Sequence, residues 1–235
     1  MTAARTVGPR AYRRRMFLPA PRGLADPAVV ADRKALLASS PTVQPLVDWS
    51  RELVDRRSAL SPERGENDVR TVVPHFDPAE AGIEARVLIL MEAPGPMTNS
   101  SNRRPGSGFI SADNDDQTAA NCWNLRDEVG LTDHTLHWNI VPWYLGVASR
   151  KPTSRELEDG ATELRGLLRL LTEVRVVVAA GLYAQKGWKR LPHGAVSSDM
   201  RVIDTWHPSP LALKQPGKRD ELRRAFAEAA DIAAE

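Results

Sequence analysis

Apolar positions along the chain follow two rhythms that alternate. Val, Leu and Ala recur at helical spacing around Pro27 to Ser39 and again over Val43 to Arg57, before a polar loop at Ser61 to Asp68. A short apolar run then follows, Ala85-Arg86-Val87-Leu88-Ile89-Leu90, broken by Pro94 and Gly95, as a buried parallel strand should be. Helical spacing returns over Thr118 to Val129, where Gly130 stops it, and a second strand is predicted at Thr135 to Val141. Thr153, Ser154 and Glu156 form a capping signature for a helix carrying Leu157, Ala161, Leu164, Leu168 and Leu171 on one face. A third strand at Val174 to Ala180 ends at Gly181, and a fourth at Met200 to Thr205 leads into His207. Leu222, Phe226 and Ala229 mark a closing helix.

Strand alternating with helix predicts an α/β fold, a three-layer α/β/α sandwich around a central, mainly parallel four-stranded sheet. In such sheets ligands bind beyond the carboxyl ends of the strands, and Glu92, Asn139 and His207 all fall at or near those ends. Residues 1–26 mix Pro, Gly and Arg without periodicity and read as a flexible basic arm, leaving 27–235 as one domain.

Composition narrows the classes. The one cysteine, Cys122, excludes an internal disulfide and a four-cysteine zinc or iron–sulfur site within the chain, and fits a reducing cytoplasm. The sequence contains neither an apolar run of membrane-spanning length nor a secretory pattern, so a soluble, monomeric protein without a membrane partner is expected. Net charge is only +2, but it is unevenly spread. Arg5, Arg10, Arg13, Arg14, Arg15 and Arg22 precede the first carboxylate, while Lys214, Lys218, Arg219, Arg223 and Arg224 follow the His207 loop. Cations so placed suit phosphates as well as a solvated face.

Three segments carry chemistry. In Asp204-Thr205-Trp206-His207-Pro208-Ser209-Pro210-Leu211, each proline fixes its own φ and biases its predecessor toward extended geometry, so one imidazole is presented in a fixed direction. Met91-Glu92-Ala93-Pro94-Gly95-Pro96 follows the first strand, and Asn139 lies within Leu136-His137-Trp138-Asn139-Ile140-Val141-Pro142. A rigid imidazole donor, a carboxylate and an amide suit cleavage of a carbon–nitrogen bond that leaves positive charge on a sugar and negative charge on a departing base. An asparagine amide donates to a carbonyl and accepts from an imino N–H at once, which matches the edge of uracil and mismatches cytosine. Each residue also has a plainer use: Glu92 as a loop cap, Asn139 as a turn closer, Phe109 as core.

In their order and wording these segments resemble the uracil-DNA glycosylase superfamily. The resemblance implies a metal-free, cofactor-free DNA-repair glycosylase that flips a uracil or related deaminated base out of DNA and hydrolyses its glycosidic bond. It places Glu92 at the water-activating carboxylate and His207 on the base oxygen. Asn139 would read the base, with Ala93 and Pro94 beside it and Phe109, after Gly106-Ser107-Gly108, stacking on it. Gly95, Pro96 and Ser209 would meet the DNA backbone, Leu211 would fill the vacated stack, and Lys214, Lys218 and Arg219 would add cationic contacts. Met91 stands where a leading glycine is usual, Ala93 where the most active branch carries aspartate, and the iron–sulfur cysteines are absent. Arg150-Lys151-Pro152-Thr153-Ser154-Arg155 lies where one branch has a covalently trapping histidine, and none occurs there. A noncatalytic nucleic-acid binding protein that keeps the pocket is the second expectation. A small-molecule hydrolase is disfavoured by the missing nucleophile elbow and phosphate loop. The Asp113, Asn114, Asp115 and Asp116 run lacks calcium-loop spacing and is expected to cap the following helix, while Trp138, Trp143 and Tyr144 are expected to be partly buried.

Overall fold

The computed structural model describes residues 19–59, 72–98, 106–146, 150–192, 194 and 196–235. Four strands, β2 (Val87–Met91), β4 (Thr135–Asn139), β5 (Val176–Ala180) and β6 (Arg201–Thr205), form one sheet in the order β4-β2-β5-β6. Every pairing is parallel, with Met91 opposite Asn139 and Ala180 opposite Thr205. A parallel pair of two-residue strands, β1 (His75–Phe76) and β3 (Phe109–Ile110), stands apart.

Strand alternation splits the core into two layers. Leu88 and Leu90 of β2 pack with Leu136 and Trp138 of β4 against α2 (Gln44–Ala59) and α4 (Ser154–Leu168), the layer that also receives Ala184 of α5 (Leu182–Trp188). Val87 and Ile89 face the other way, onto Trp123 and Leu125 of α3 (Gln117–Glu128) and Leu222, Phe226 and Ala229 of α7 (Lys218–Ala234). The expected three-layer arrangement is therefore present. Because Leu136 and Trp138 take the α2 and α4 side, His137 and Asn139 must turn toward α3. Phe76 stacks on Trp138 with ring centroids 3.7 Å apart, which fastens the small strand pair to the main sheet.

Local signals explain most helix ends. Asp26 caps α1 (Pro27–Leu36), its side chain accepting from the Ala28 N–H at 2.8 Å, with proline at the first helical position. Thr153 and Glu156 form the full reciprocal capping box of α4. Gly160 lets α4 lie against the chain just beyond Asn139, since a Cβ there would stand 2.0 Å from the Ile140 carbonyl oxygen.

Some expectations need correction. Residues 1–18 of the arm and the loop at 61–68 lie outside the described residues, but 19–26 are tied to the domain: Leu24 is buried and its N–H donates to the Asp113 carbonyl at 3.0 Å. Of the acidic run, Asp116 alone caps α3, accepting from the Ala119 N–H at 2.9 Å. Asp113 is instead buried against Arg33, while Asn114 bonds Ser107 and the Phe109 carbonyl. Trp138, Trp143 and Tyr144 are fully rather than partly buried. The helix α5 and the one-turn α6 (Pro210–Leu213) are too short for a periodic signal.

Candidate active site

The loop after β6 holds His207 by tethers from three directions. The Gly181 N–H donates to the Thr205 carbonyl at 2.8 Å, the Gln185 side-chain amide donates to the same carbonyl at 2.8 Å, and the Asn121 side-chain amide donates to the Pro208 carbonyl at 2.7 Å. Gly181 has φ +95°, and a Cβ on it would approach the His207 Cβ to 2.8 Å, so this strand end admits the imidazole only because it is glycine. The Ser209 N–H donates to His207 Nδ1 at 3.2 Å. With Nδ1 accepting, the ring proton of a neutral imidazole sits on Nε2. Burial, with the Lys151 ammonium nearby, pushes the His207 pKa down to about 4, so the ring is neutral at ordinary pH.

His207 forms part of the wall between two hollows. One, of about 410 Å³, is lined by Met91, Ala93, Pro94, Gly95, Pro96, Cys122, His137, Asn139 and His207 among others. The second, of about 440 Å³, shares Ala93, Pro94, Gly95 and His207 and adds Glu92, Lys151, Tyr183 and Ser209. Asn139 and Glu92 thus lie on either side of a common partition. Lys151 Nζ bonds both Glu92 carboxylate oxygens, at 2.9 and 3.1 Å, a contact the sequence offered only as a basic stretch. Ser209 caps α6 by accepting from the Ala212 N–H at 3.4 Å, which leaves its O–H as a donor. Leu211 is 81% exposed.

Three expected contributors are placed elsewhere. Phe109 is fully buried and does not line either hollow; its neighbour Ile110 lines the first, because alternate residues of β3 face opposite ways. Arg219 pairs with Glu128 at 3.3 Å, and Lys218 sits 3.5 Å from the Trp206 ring centroid and 3.4 Å from Glu221. Those two cations are engaged within the fold. Lys214 is exposed and makes no ion pair among the described residues, whereas Arg5, Arg10, Arg13, Arg14 and Arg15 lie outside them. No group of three or more metal-ligating side chains occurs among the described residues. No helix among them is long and apolar enough to cross a membrane.

Sequence reasoning missed the buried polar layer behind the first hollow. Arg33 of α1 bridges Asp77 and Asp113, all three buried. Glu80 takes the His137 backbone N–H at 2.7 Å and His137 Nδ1 at 2.6 Å, and Arg126 of α3 lies 3.9 Å away. Burial alone would raise the Glu80 carboxyl, but His137 and Arg126 outweigh it and hold the group below its ordinary value. An arginine at helical spacing from Cys122 on an apolar face was the available signal, since a buried guanidinium requires a carboxylate partner.

A parallel sheet whose strand ends gather an imidazole, an amide and a carboxylate around paired hollows defines an α/β protein with its candidate site beyond the carboxyl ends of the strands. The uracil DNA glycosylase superfamily model matches residues 78–230, and the chain belongs to that superfamily. It is 34% identical over 151 residues to a type-5 uracil-DNA glycosylase of Thermus thermophilus. The match covers 59% of this chain and 62% of that relative's length.

Proposed function

We propose that the protein is a DNA glycosylase that hydrolyses the N-glycosidic bond of uracil, or a related deaminated base, and leaves an abasic site. The observation that carries this reading is the neutral, Nε2-protonated His207 in the wall of the hollow that Asn139 enters. Leaving-group departure puts negative charge on a base oxygen, and a fixed neutral donor in a partly dehydrated site stabilises that charge more as it develops than in the ground state. A flipped base would occupy the first hollow, read by Asn139 beside Ala93 and Pro94, and the sugar and phosphate would lie in the second. There Glu92 would face the cationic sugar, with Gly95 and the Ser209 O–H near the backbone, while Pro96 lines the first hollow. Leu211 suits the vacated stack and Lys214 a phosphate. The relative's printed activity supports the same substrate. The protein would act as a cytoplasmic monomer on DNA, and its single cysteine fits a reducing compartment.

The Lys151 clamp on Glu92 favours a second reading, in which the pocket binds a base without turnover because its carboxylate is already engaged. One experiment separates the two: release of uracil, hypoxanthine and xanthine from labelled oligonucleotides, single-stranded and mispaired, with chelator present. Release by the wild type, with Asn139→Asp shifting preference from uracil toward cytosine, supports the glycosylase. Tight, salt-sensitive binding without release supports the second reading, and an equal loss on every base removes Asn139 from recognition.

A further inference from the structure

Two neighbouring cations line the second hollow, and they are held in different ways. Arg150 bonds both carboxylate oxygens of Glu156, at 2.8 and 2.5 Å, and Glu156 is itself fixed in the capping box of α4. Lys151 instead bonds both oxygens of Glu92, at 2.9 and 3.1 Å, and among the described residues it is the only side chain that does. Its side chain is 64% exposed, against 19% for Glu92. An ion pair so open to solvent is weak, and the ammonium can leave it at small cost.

The surroundings suit an anion. Lys151 Nζ stands 5.5 Å from the Tyr183 ring centroid and Lys186 Nζ 5.8 Å from the same ring, so a phosphate entering here meets two cations. Ser209, whose O–H is left as a donor, lines the same hollow. In the free protein, however, the Lys151 contact works against the role proposed for Glu92. An ammonium on both oxygens offsets the negative potential that the carboxylate would present to a cationic sugar. A phosphodiester carried in with the flipped nucleotide competes for that ammonium with its own charge and acceptor oxygens.

We propose that Lys151 is a positioning residue that exchanges partners: it holds Glu92 in the free protein and passes to a phosphodiester beside the flipped nucleotide, which releases the carboxylate to face the sugar. This rests on the glycosylase reading for the role of Glu92. The exchange makes the site selective for a base within a polynucleotide, because a free nucleoside brings no phosphate and meets a carboxylate whose charge is offset.

The test removes phosphate charge one linkage at a time. Oligonucleotides carry a neutral methylphosphonate at each linkage flanking a uracil in turn, and single-turnover release is measured at saturating protein. At one linkage the wild-type maximal rate is expected to fall about tenfold, since Glu92 stays clamped. Lys151→Gln, an exposed substitution with no clamp to release, should show no such loss there. A full penalty in the variant, or a wild type indifferent at every linkage, overturns the proposal. So does a penalty confined to affinity, which would make Lys151 a plain phosphate contact. Binding without turnover gives a second readout, with 2′-fluoro-2′-deoxyuridine in place of the deoxyuridine to resist cleavage. Glu92→Gln frees the ammonium beforehand and should tighten binding about threefold, a gain that should vanish with the methylphosphonate or when Lys151 is also replaced by glutamine. Unchanged or weakened affinity in Glu92→Gln overturns the exchange. Failure of wild type to release uracil while this binding pattern holds overturns the glycosylase reading alone, and release without the phosphate dependence overturns the exchange alone.

Discussion

β4 and β6 are the two edges of one sheet, and they deliver site residues in opposite ways. All five residues of β4 are buried, and its outward N–H at His137 is taken up by Glu80. In β6 only Thr205 is buried, Val202 is 40% exposed, and the strand hands His207 to a loop stiffened by Pro208 and Pro210. The strand that delivers Asn139 is thus anchored at His137 by a buried charge network, and His207 is held by covalent stiffness and a few backbone tethers. The difference suits the two tasks proposed for these residues. Reading a base edge gains from low dielectric, where a mispaired group is expensive, whereas a group that acts at the glycosidic bond must also be reached by the nucleotide.

Breaking the buried edge should have the largest effect. Glu80→Ala strips a carboxylate from Arg126 and His137 and is expected to cost about 3–5 kcal/mol of folding stability, measured by urea denaturation. A loss under about 1 kcal/mol would make the two edges energetically alike. His207→Ala should lower single-turnover base release about 10²–10³-fold, the value of one fixed donor to a developing anion. Its urea midpoint should stay close to that of the wild type, and a collapse in stability would show that the exposed edge is structural too.

Gly181→Ala sharpens the contrast. A Cβ at 2.8 Å from that of His207, on a backbone at φ +95°, must displace the imidazole, so release should slow about tenfold while the preference for uracil over cytosine is kept. Loss of preference in this variant would mean that the two edges are coupled.

The smallest effect concerns pH. With its folded pKa lowered from 6.5 to about 4, His207 contributes no inflection to the release rate between pH 5 and 8. For stability the sign is fixed: the unfolded chain takes up this proton first, so its contribution falls as pH drops from about 6.5 to about 4. His207→Ala should lose less stability over that window in paired thermal melts.

The same contrast governs what was legible in the sequence. The His207 loop, the Thr153–Glu156 capping box and the four main strands are written in neighbouring residues, and they were found nearly in place. The buried network was not, because its partners are distant in the chain: Arg33 is separated from Asp77 and Asp113 by 44 and 80 residues, and Glu80 from His137 by 57. The two-residue strands β1 and β3 are too short to show a period, so the pattern did not decide between Phe109 as core and Phe109 in the pocket. The pairing of Arg219 went unseen because Glu128 lies 91 residues before it.

Cys122 lines the first hollow from α3, and burial pushes its thiol up to about 12. Since the thiolate is the species that peroxide and alkylating reagents attack, the chain's one sulfhydryl is chemically silent where it stands. Slow modification by a small neutral reagent becomes a clock for the opening of this wall, and a base lodged in the hollow should stop it.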